Sequence, residues 1–565
     1  MKVIIIGGVA GGASCAARLR RLDEQAEILM VERGPYVSYA NCGLPYHISG
    51  TIAKESSLLV ASEKLFRQQF AIETRTRCEA MRIHPESKTV ELRNLETGTI
   101  STEAYDKLVL SPGAASIRPP LPGIDLPGIF AVRTVPDARA IREWIEHGTS
   151  FLTGMHNYSG IQFVKPKRRA VVVGGGFIGL ETAENLIHAG FEVTLIELGS
   201  QLLAPLDPEQ ARLIEGHVQR HGLQLALNDG VAGFSQTDTG ALEVATKSGR
   251  IHPADVVILA LGVRPDVTLA REAGLEIGEL GGIRVDEHMR TSHPDILAVG
   301  DAVEVRDFVT GQWSLVALAG PANRQGRIAA DVIAGRDSRY RGTQGTSIIG
   351  LFGAAVAWTG VNEKTLRKLG DTDYEKIYLF PNSHAGYYPG ARPIDLKVIF
   401  RKSDGRLLGA QACSEDGPAV DKRISALAMA IQMGATIYDL EEAELCYAPQ
   451  FGSAKDAVNF AGMVAADVVR GDMPLAHWEE TAGQFLLDVR EPVELAVEQI
   501  PDALNIPLGQ LRDRLGELPR DREILVICRS GQRAYNATRI LLQHGFKARN
   551  VSGGMLSHTV LASRN

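Results

Sequence analysis

Ala170-Val171-Val172-Val173-Gly174-Gly175-Gly176-Phe177-Ile178-Gly179 sets an apolar run against a glycine turn. An alanine-containing helical stretch follows, and a second apolar run, Val193-Thr194-Leu195-Ile196, ends in Glu197. Strand, Gly174-x-Gly176-x-x-Gly179 turn, helix, strand and terminal acid come in the order of a dinucleotide-binding unit. The glycines let a pyrophosphate approach the backbone at the N-terminus of the helix, where amides converge. Glu197, about 18 residues past Gly179, is placed to accept hydrogen bonds from a ribose 2′-hydroxyl and to repel a 2′-phosphate. Leu198-Gly199-Ser200 supplies no arginine, so NADH is expected over NADPH.

Toward the N-terminus, Lys2 to Glu32 repeats the pattern. Gly7-Gly8-Val9-Ala10-Gly11-Gly12 follows an apolar strand, with Val9 at the middle glycine and Glu32 about 20 residues past Gly12. Two nucleotide sites are expected. Toward the C-terminus, Ile296-Leu297-Ala298-Val299-Gly300-Asp301 places an acid just after a buried strand that would return to the first unit. Gly148 to Lys167 is mixed in pattern and basic at its end, as in a linker or hairpin. From Gly345 to about Arg470, strand-like LKVIF and helical ISALAMAIQMGA alternate without a glycine fingerprint. After RGDMP, FLLDVRE, ALNIPL and ILVICRSGQRA form a short α/β module of about a hundred residues.

The chain of 565 residues is too long for one core, and 45% apolar, 22% charged residues with 58 glycines describe a turn-rich α/β protein, neither disordered nor fibrous. A net charge of -7 with interspersed signs offers no footprint for nucleic acid. There is no run of about 18 apolar residues to span a bilayer, and MKVIIIGGVAGG is too glycine-rich for a secretory segment, so no membrane partner and a cytoplasmic location are expected. The six cysteines show no C-x-x-C pair and no zinc spacing, so no metal site is expected and each is weighed as a single thiol.

Ser38-Tyr39-Ala40-Asn41-Cys42-Gly43-Leu44-Pro45-Tyr46 follows Glu32 closely. Cys42 would open a helix, whose dipole favours a thiolate of lowered pKa. Cys15, Cys78, Cys413 and Cys446 read as buried structural residues. In the C-terminal module, the strand Ile524-Leu525-Val526-Ile527 delivers Cys528-Arg529-Ser530-Gly531-Gln532-Arg533 to a helix, and the amides of such a loop form an anion nest that would stabilise a thiolate or persulfide.

These motifs, with Ala260-Leu261-Gly262-Val263-Arg264-Pro265, resemble the flavoprotein disulfide reductases over about residues 1 to 465. The element S-[FY]-A-N-C-G-L-P-Y resembles their coenzyme A disulfide reductase branch. The resemblance implies an α/β fold with a discontinuous FAD domain (1–119 and 261–340), an NAD domain (120–260) and an α+β dimerisation domain (341–468). It also implies a homodimer whose partner subunit completes the site. Gly7, Gly8, Gly11, Gly12, Glu32, Arg33, Gly113, Gly300 and Asp301 would hold FAD, Asp301 through the ribityl chain, and Gly174, Gly176, Gly179, Glu197 and Gly262 would hold NADH.

A second cysteine, five residues on in glutathione-reductase-like members, is His47 here, so Cys42 would work alone. Tyr387, or its neighbour Tyr388, and Tyr447 match tyrosines that reach across the dimer to the cysteine. Ser14, Arg18, Arg21, Ser38, Asn41 and Lys455 match positions lining a coenzyme A site, while the family's lysine is absent at Arg67-Gln68-Gln69. The C-R-S-G-x-R loop and Asp488-Val489-Arg490-Glu491 resemble the rhodanese sulfurtransferases over 474–565, with Cys528 as persulfide carrier and Arg533 in its nest. Reduction of coenzyme A persulfide, polysulfide or disulfide is the expected activity. An NADH oxidase or peroxidase, in whose branch a histidine stands where Ala10 is, and a sulfur-delivery protein remain alternatives.

Overall fold

The computed structural model describes residues 1–153, 168–238, 241–417 and 419–562. The chain divides into two compact units, Met1–Leu202 with Gln219–Gly345, and Leu203–Val218 with Thr346–Asn565.

The first unit holds two parallel five-stranded sheets. In one, Lys2–Ile6 is central, flanked by Glu27–Val31 and Lys107–Leu110, with Glu73–Arg75 and Ile296–Ala298 at the edges. Val3, Ile4 and Ile5 are fully buried, as a strand covered on both faces must be, and this is why the sequence shows an unbroken apolar run. Ile296–Ala298 pairs with Lys107–Leu110, so the late strand returns to the first sheet as expected and carries Asp301 with it. In the other sheet Arg169–Val173 is central between Glu192–Ile196 and Val256–Leu259. The helices Ala10–Leu22 and Phe177–His188 leave the two glycine turns. Ala114–Ser116 and Val263–Pro265 pair antiparallel. The stretch assigned to a linker or hairpin, Gly148 to Lys167, is helical as far as Thr153 and otherwise lies outside the described residues.

The second unit is built on an antiparallel sheet ordered Ser347–Leu351, Ala354–Gly360, Leu407–Ser414, Asp395–Arg401, Tyr374–Leu379. A parallel sheet follows in the C-terminal module, with the fully buried Ile524–Ile527 at its centre. The module rests against the Tyr374–Leu379 edge of the antiparallel sheet: the Tyr378 amide donates to Ser552 Oγ at 3.2 Å, and His477 Nε2 lies 2.9 Å from Glu375 Oε1. Beneath that edge lies a fully buried ammonium. Lys397 Nζ donates to Asp207 Oδ2 at 2.8 Å, to Glu363 Oε2 at 2.6 Å and to Glu209, and the hydroxyl of Tyr378 closes the group on Glu209. These three acids lie close enough together to ligate one ion, and the lysine is their cation. Among the described residues, no helix is long and apolar enough to cross a membrane.

Candidate active sites

The two glycine turns are built alike. Gly7 and Gly174 both take positive φ, 97° and 114°, and a Cβ there would lie 1.9 Å from Ser111 O or 2.2 Å from Ala260 O, so only glycine closes the turn. Gly12 and Gly179 press the helix onto the strand, where a Cβ would come within 1.9 Å of a carbonyl oxygen. The middle position differs. Gly176 caps its helix at φ -86° and faces open space, and Val9 caps its own at φ -99°, a negative φ open to any residue. Val9 therefore leaves the turn intact, although its sequence reads as a weaker fingerprint.

The two terminal acids are also alike. Glu32 accepts the amides of Gly8 at 2.9 Å and Gly34 at 2.7 Å, and Glu197 accepts those of Gly175 at 2.7 Å and Gly199 at 2.6 Å. Each carboxylate thus braces its own glycine loop, a role the sequence does not show. The open face at Gly176 and the amide-lined turns fit a dinucleotide pyrophosphate at both sites. Asp301 meets Arg133, whose Nη2 is 3.3 Å away and whose Nε donates to Ala114 O at 2.8 Å. A Cβ on Gly113, at φ 73°, would lie 3.2 Å from that guanidinium. Arg133 is a residue missed in the sequence, where an isolated arginine carries no signal. Gly300 donates its amide to Gln325 at 2.8 Å, Gly11 packs against Val299, and Gly262 accepts the amide of Ile117 at 3.0 Å. Arg33 is largely exposed, at the edge of ion-pair reach of Glu79 and Asp266.

Cys42 is exposed, on a short 3-10 turn, Asn41–Gly43, that leads into the helix Leu44–Ile48. Ser38, in the left-handed region at φ 48°, ties this loop to the first glycine turn by donating its amide to Gly8 O at 2.7 Å. The thiol departs from expectation. Burial of the sulfur and the nearby carboxylates Glu181 and Asp301 raise its pKa above the ordinary value, against a lowering contribution from the local amide. The helix that follows is only five residues long, and burial, the largest cause, outweighs the local amide. Glu181, from the helix Phe177–His188, and Tyr46, whose hydroxyl donates to it at 3.1 Å, complete the surroundings. Neither was singled out in the sequence; an acid two residues past Gly179 was the available signal.

Asn41 Oδ1 is buried and without a partner among the described residues, as a ligand contact would leave it. Other expected coenzyme A residues are less free. Arg18 is paired with Asp331 at 2.8 Å, and Ser14 donates to Asn323. Arg21 and, in the second unit, Lys455 are exposed. Tyr387 is 76% exposed, and its hydroxyl lies 2.7 Å from that of Tyr447, while Tyr388 turns its ring to His384. The pair formed is therefore Tyr387–Tyr447. The hydrogen bond from Tyr387 raises the pKa of Tyr447.

In the C-terminal module Cys528 is 1% exposed, and its Sγ accepts the amide of Gly531 at 3.1 Å, one of the loop amides expected around it. Arg533 lies within electrostatic reach of Cys528, beside the loop where it is expected. Its guanidinium is forked onto Glu494 at 2.6 and 2.7 Å and holds that carboxyl at about 2. Asp488 and Arg490 form a buried pair at 2.7 Å, and Asp488 stands opposite Ile527 on the strand that delivers the loop. Among the other cysteines, Cys15, Cys78 and Cys413 are buried and burial raises each pKa, that of Cys15 to about 12. Cys446 is exposed, against its reading as a buried residue, because it lies in the open segment leading to Tyr447.

Residues 1–326 match the model of the pyridine nucleotide-disulphide oxidoreductases. The chain belongs to that family. Residues 347–457 match the family's dimerisation domain and 475–558 a rhodanese-like domain. Coenzyme A disulfide reductase of Staphylococcus epidermidis is 32% identical over 465 residues, 82% of this chain and 99% of the relative. Among solved structures, reduced CoADR-RHD of Bacillus anthracis is 45% identical with a TM-score of 0.94, covering 100% of this chain and 98% of that one. A NAD-dependent persulfide reductase from A. fulgidus is 36% identical with a TM-score of 0.88, covering 99% and 100%. This member of the family is an oxidoreductase carrying a C-terminal rhodanese-like domain.

Proposed function

We propose that the chain is an NADH-dependent reductase of coenzyme A persulfide, polysulfide or disulfide, in which Cys42 is the one redox thiol and Cys528 carries sulfane sulfur. One observation carries the reading: the exposed thiol of Cys42, on the loop beside the first glycine turn, feels a carboxylate from each nucleotide fold, Asp301 from one and Glu181 from the other. A thiol so seated stands where electrons leave one dinucleotide for a sulfur substrate. The relatives named for coenzyme A disulfide and for persulfide agree with that substrate class.

The turn at Gly7–Gly12, Glu32, Gly113 and Asp301 would hold FAD, and the turn at Gly174–Gly179 with Glu197 would hold NADH. FAD, when bound, passes electrons from nicotinamide to sulfur two at a time. Cys42, as thiolate, attacks a substrate sulfur and expels hydrosulfide or a thiolate, leaving a mixed disulfide whose reduction restores it. The orphaned Asn41 Oδ1 and Ser38 orient the pantetheine end. The Tyr387–Tyr447 pair of a second copy in a homodimer donates a proton to the departing thiolate. Six cysteines without a disulfide suit a reducing cytoplasm.

Cys42→Ser is expected to keep the flavin absorbance and lose NADH-driven reduction of coenzyme A disulfide and persulfide; retention of most turnover sinks the reading. Turnover of oxygen or peroxide in preference to sulfur would favour an oxidase instead, and sulfur transfer to cyanide with no NADH use would favour a sulfur-delivery protein.

A further inference from the structure

The loop that carries Cys528 is held from behind by the start of the next helix, Gly554–Ala562. Met555 donates its amide to Cys528 O at 2.9 Å, and Leu556 donates to Arg529 O at 3.0 Å. First-turn amides have no partner within their own helix, and here they are spent on the carbonyls of the loop. Those bonds fix which way the loop peptides face, and the Gly531 amide meets the sulfur at 3.1 Å. A Cβ on Gly554, at φ 53°, would lie 2.2 Å from Cys528 O, so only glycine brings the helix this close.

The start of that helix is anchored in turn from two sides. Inside the module, Ser557 Oγ lies 2.9 Å from both Ser552 O and Gly554 O, and Trp478 Nε1 donates to Gly554 O at 2.9 Å. From outside it, the edge strand Tyr374–Leu379 of the antiparallel sheet reaches the same turn. Tyr378 donates its amide to Ser552 Oγ at 3.2 Å in a buried hydrogen bond. The approach is close, since a Cβ on Gly553, at φ 74°, would come within 2.9 Å of Tyr378 Cβ. Tyr378 is itself buried and fixed, its hydroxyl donating at 2.9 Å to Glu209, one of the acids that share the Lys397 ammonium. Only Gly553 and Gly554, both at positive φ, separate Ser552 from Met555. A short series of contacts therefore runs from the buried charges of the dimerisation domain to the Cys528 loop.

We propose that Ser552, held by the Tyr378 amide of the dimerisation domain, is a positioning residue for sulfur transfer at Cys528: it sets the helix start at the height that keeps the Gly531 amide on the sulfur. The proposal rests on Cys528 being the carrier of sulfane sulfur. In that transfer the Cys528 thiolate attacks the outer sulfur of thiosulfate. A bond from Cys528 Sγ to that sulfur forms, the S–S bond of thiosulfate breaks, and sulfite leaves with the electron pair. Cyanide then attacks the outer sulfur of the persulfide. A C–S bond forms, the persulfide S–S bond breaks, thiocyanate leaves, and the electron pair returns to Cys528 as thiolate. The sulfur is anionic before and after loading, and a hydrogen bond to an anion is the stronger kind. A helix start that shifts carries the Cys528 and Arg529 carbonyls with it and tilts the Gly531 amide off the sulfur.

The test is single-turnover loading of the full-length holoenzyme with thiosulfate, with the Cys528 persulfide counted over time by mass spectrometry. Ser552→Ala deletes the acceptor of the Tyr378 amide. It is expected to slow loading about tenfold, the scale of one hydrogen bond to a charged group, while the final amount loaded stays that of the parent. A module that merely unfolds would lose amount instead. Hydrogen exchange should quicken in the peptide 553–558 and stay unchanged in the central strand Ile524–Ile527. His477→Ala breaks the contact with Glu375 across the same joint without touching Ser552, and should load at the parent rate.

Parent-like loading and exchange in Ser552→Ala, with Cys528→Ser inert, would overturn the positioning role alone. A loss of amount in place of rate, or an equal slowing in His477→Ala, would overturn it too. Thiocyanate formation surviving in Cys528→Ser would instead overturn the reading on which it rests.

Discussion

Glu197 spends both oxygens on backbone amides, at Gly175 and Gly199, yet it is also the acid expected to meet the ribose. A carboxylate that braces the loop and faces the 2′-position has two consequences when removed. Glu197→Ala should narrow the preference for NADH over NADPH in kcat/KM by roughly tenfold, about 1.4 kcal/mol of lost discrimination, and should raise the KM for NADH as the loop loosens. Steady-state kinetics with both cofactors checks this, and equal use of the two by the parent would contradict it. The same scale explains Arg20. It lies between Arg18 and Arg21 in the chain, but it is buried, with its guanidinium donating to the carbonyls of Phe70, Ala26 and Ala71. Helical spacing alone does not tell which of three neighbouring arginines will turn inward.

At the scale of elements, Lys397 ties the strand Asp395–Arg401 to the helix Glu363–Leu369 and to the Leu203–Val218 excursion. One ammonium shared by three acids is costly to desolvate, and far costlier to break. Lys397→Met should destabilise the C-terminal unit by about 3–5 kcal/mol, since it strands buried carboxylates without their counter-charge. Denaturation followed by tryptophan fluorescence measures this. Against burial, Lys397 and Lys376 hold Glu363 down from 4.5 to about 2. A depressed carboxyl contributes stability that is fully present above its unfolded value. That share should therefore persist down to about pH 4.5 and be lost as the pH falls toward 2. An acid transition in this window that Glu363→Gln leaves unchanged would count against the assignment.

For the whole molecule, the question is how two reactive thiols divide the work. Cys528 is buried, its sulfur accepting the Gly531 amide, while Cys42 lies at the surface of its loop and is flanked by acids. Cys528→Ser should abolish thiosulfate-to-cyanide sulfur transfer and leave reduction of small, freely diffusing persulfides largely intact. Damage equal to that of Cys42→Ser on every persulfide would mean one obligatory relay. Both variants must be compared on the same donors.

By itself the sequence determined the two β-α-β units, the late strand that returns to the first sheet, a third domain of alternating strands and helices without a glycine fingerprint, and the C-terminal α/β module. Glycine turns, buried strands and their spacing are local patterns with few folded solutions. It also picked out Cys42 and Cys528, because each stands in a motif with a chemical purpose. The tertiary structure alone decided the charge around them. Glu181 reaches Cys42 and Tyr46 from 135 or more residues away in the chain, Glu494 takes the guanidinium of Arg533, and Tyr387, not Tyr388, meets Tyr447. Electrostatic influence depends on distance and burial, and neither is written in spacing along the chain; a thiol expected to be acidic thus becomes less so once burial and two acids surround it.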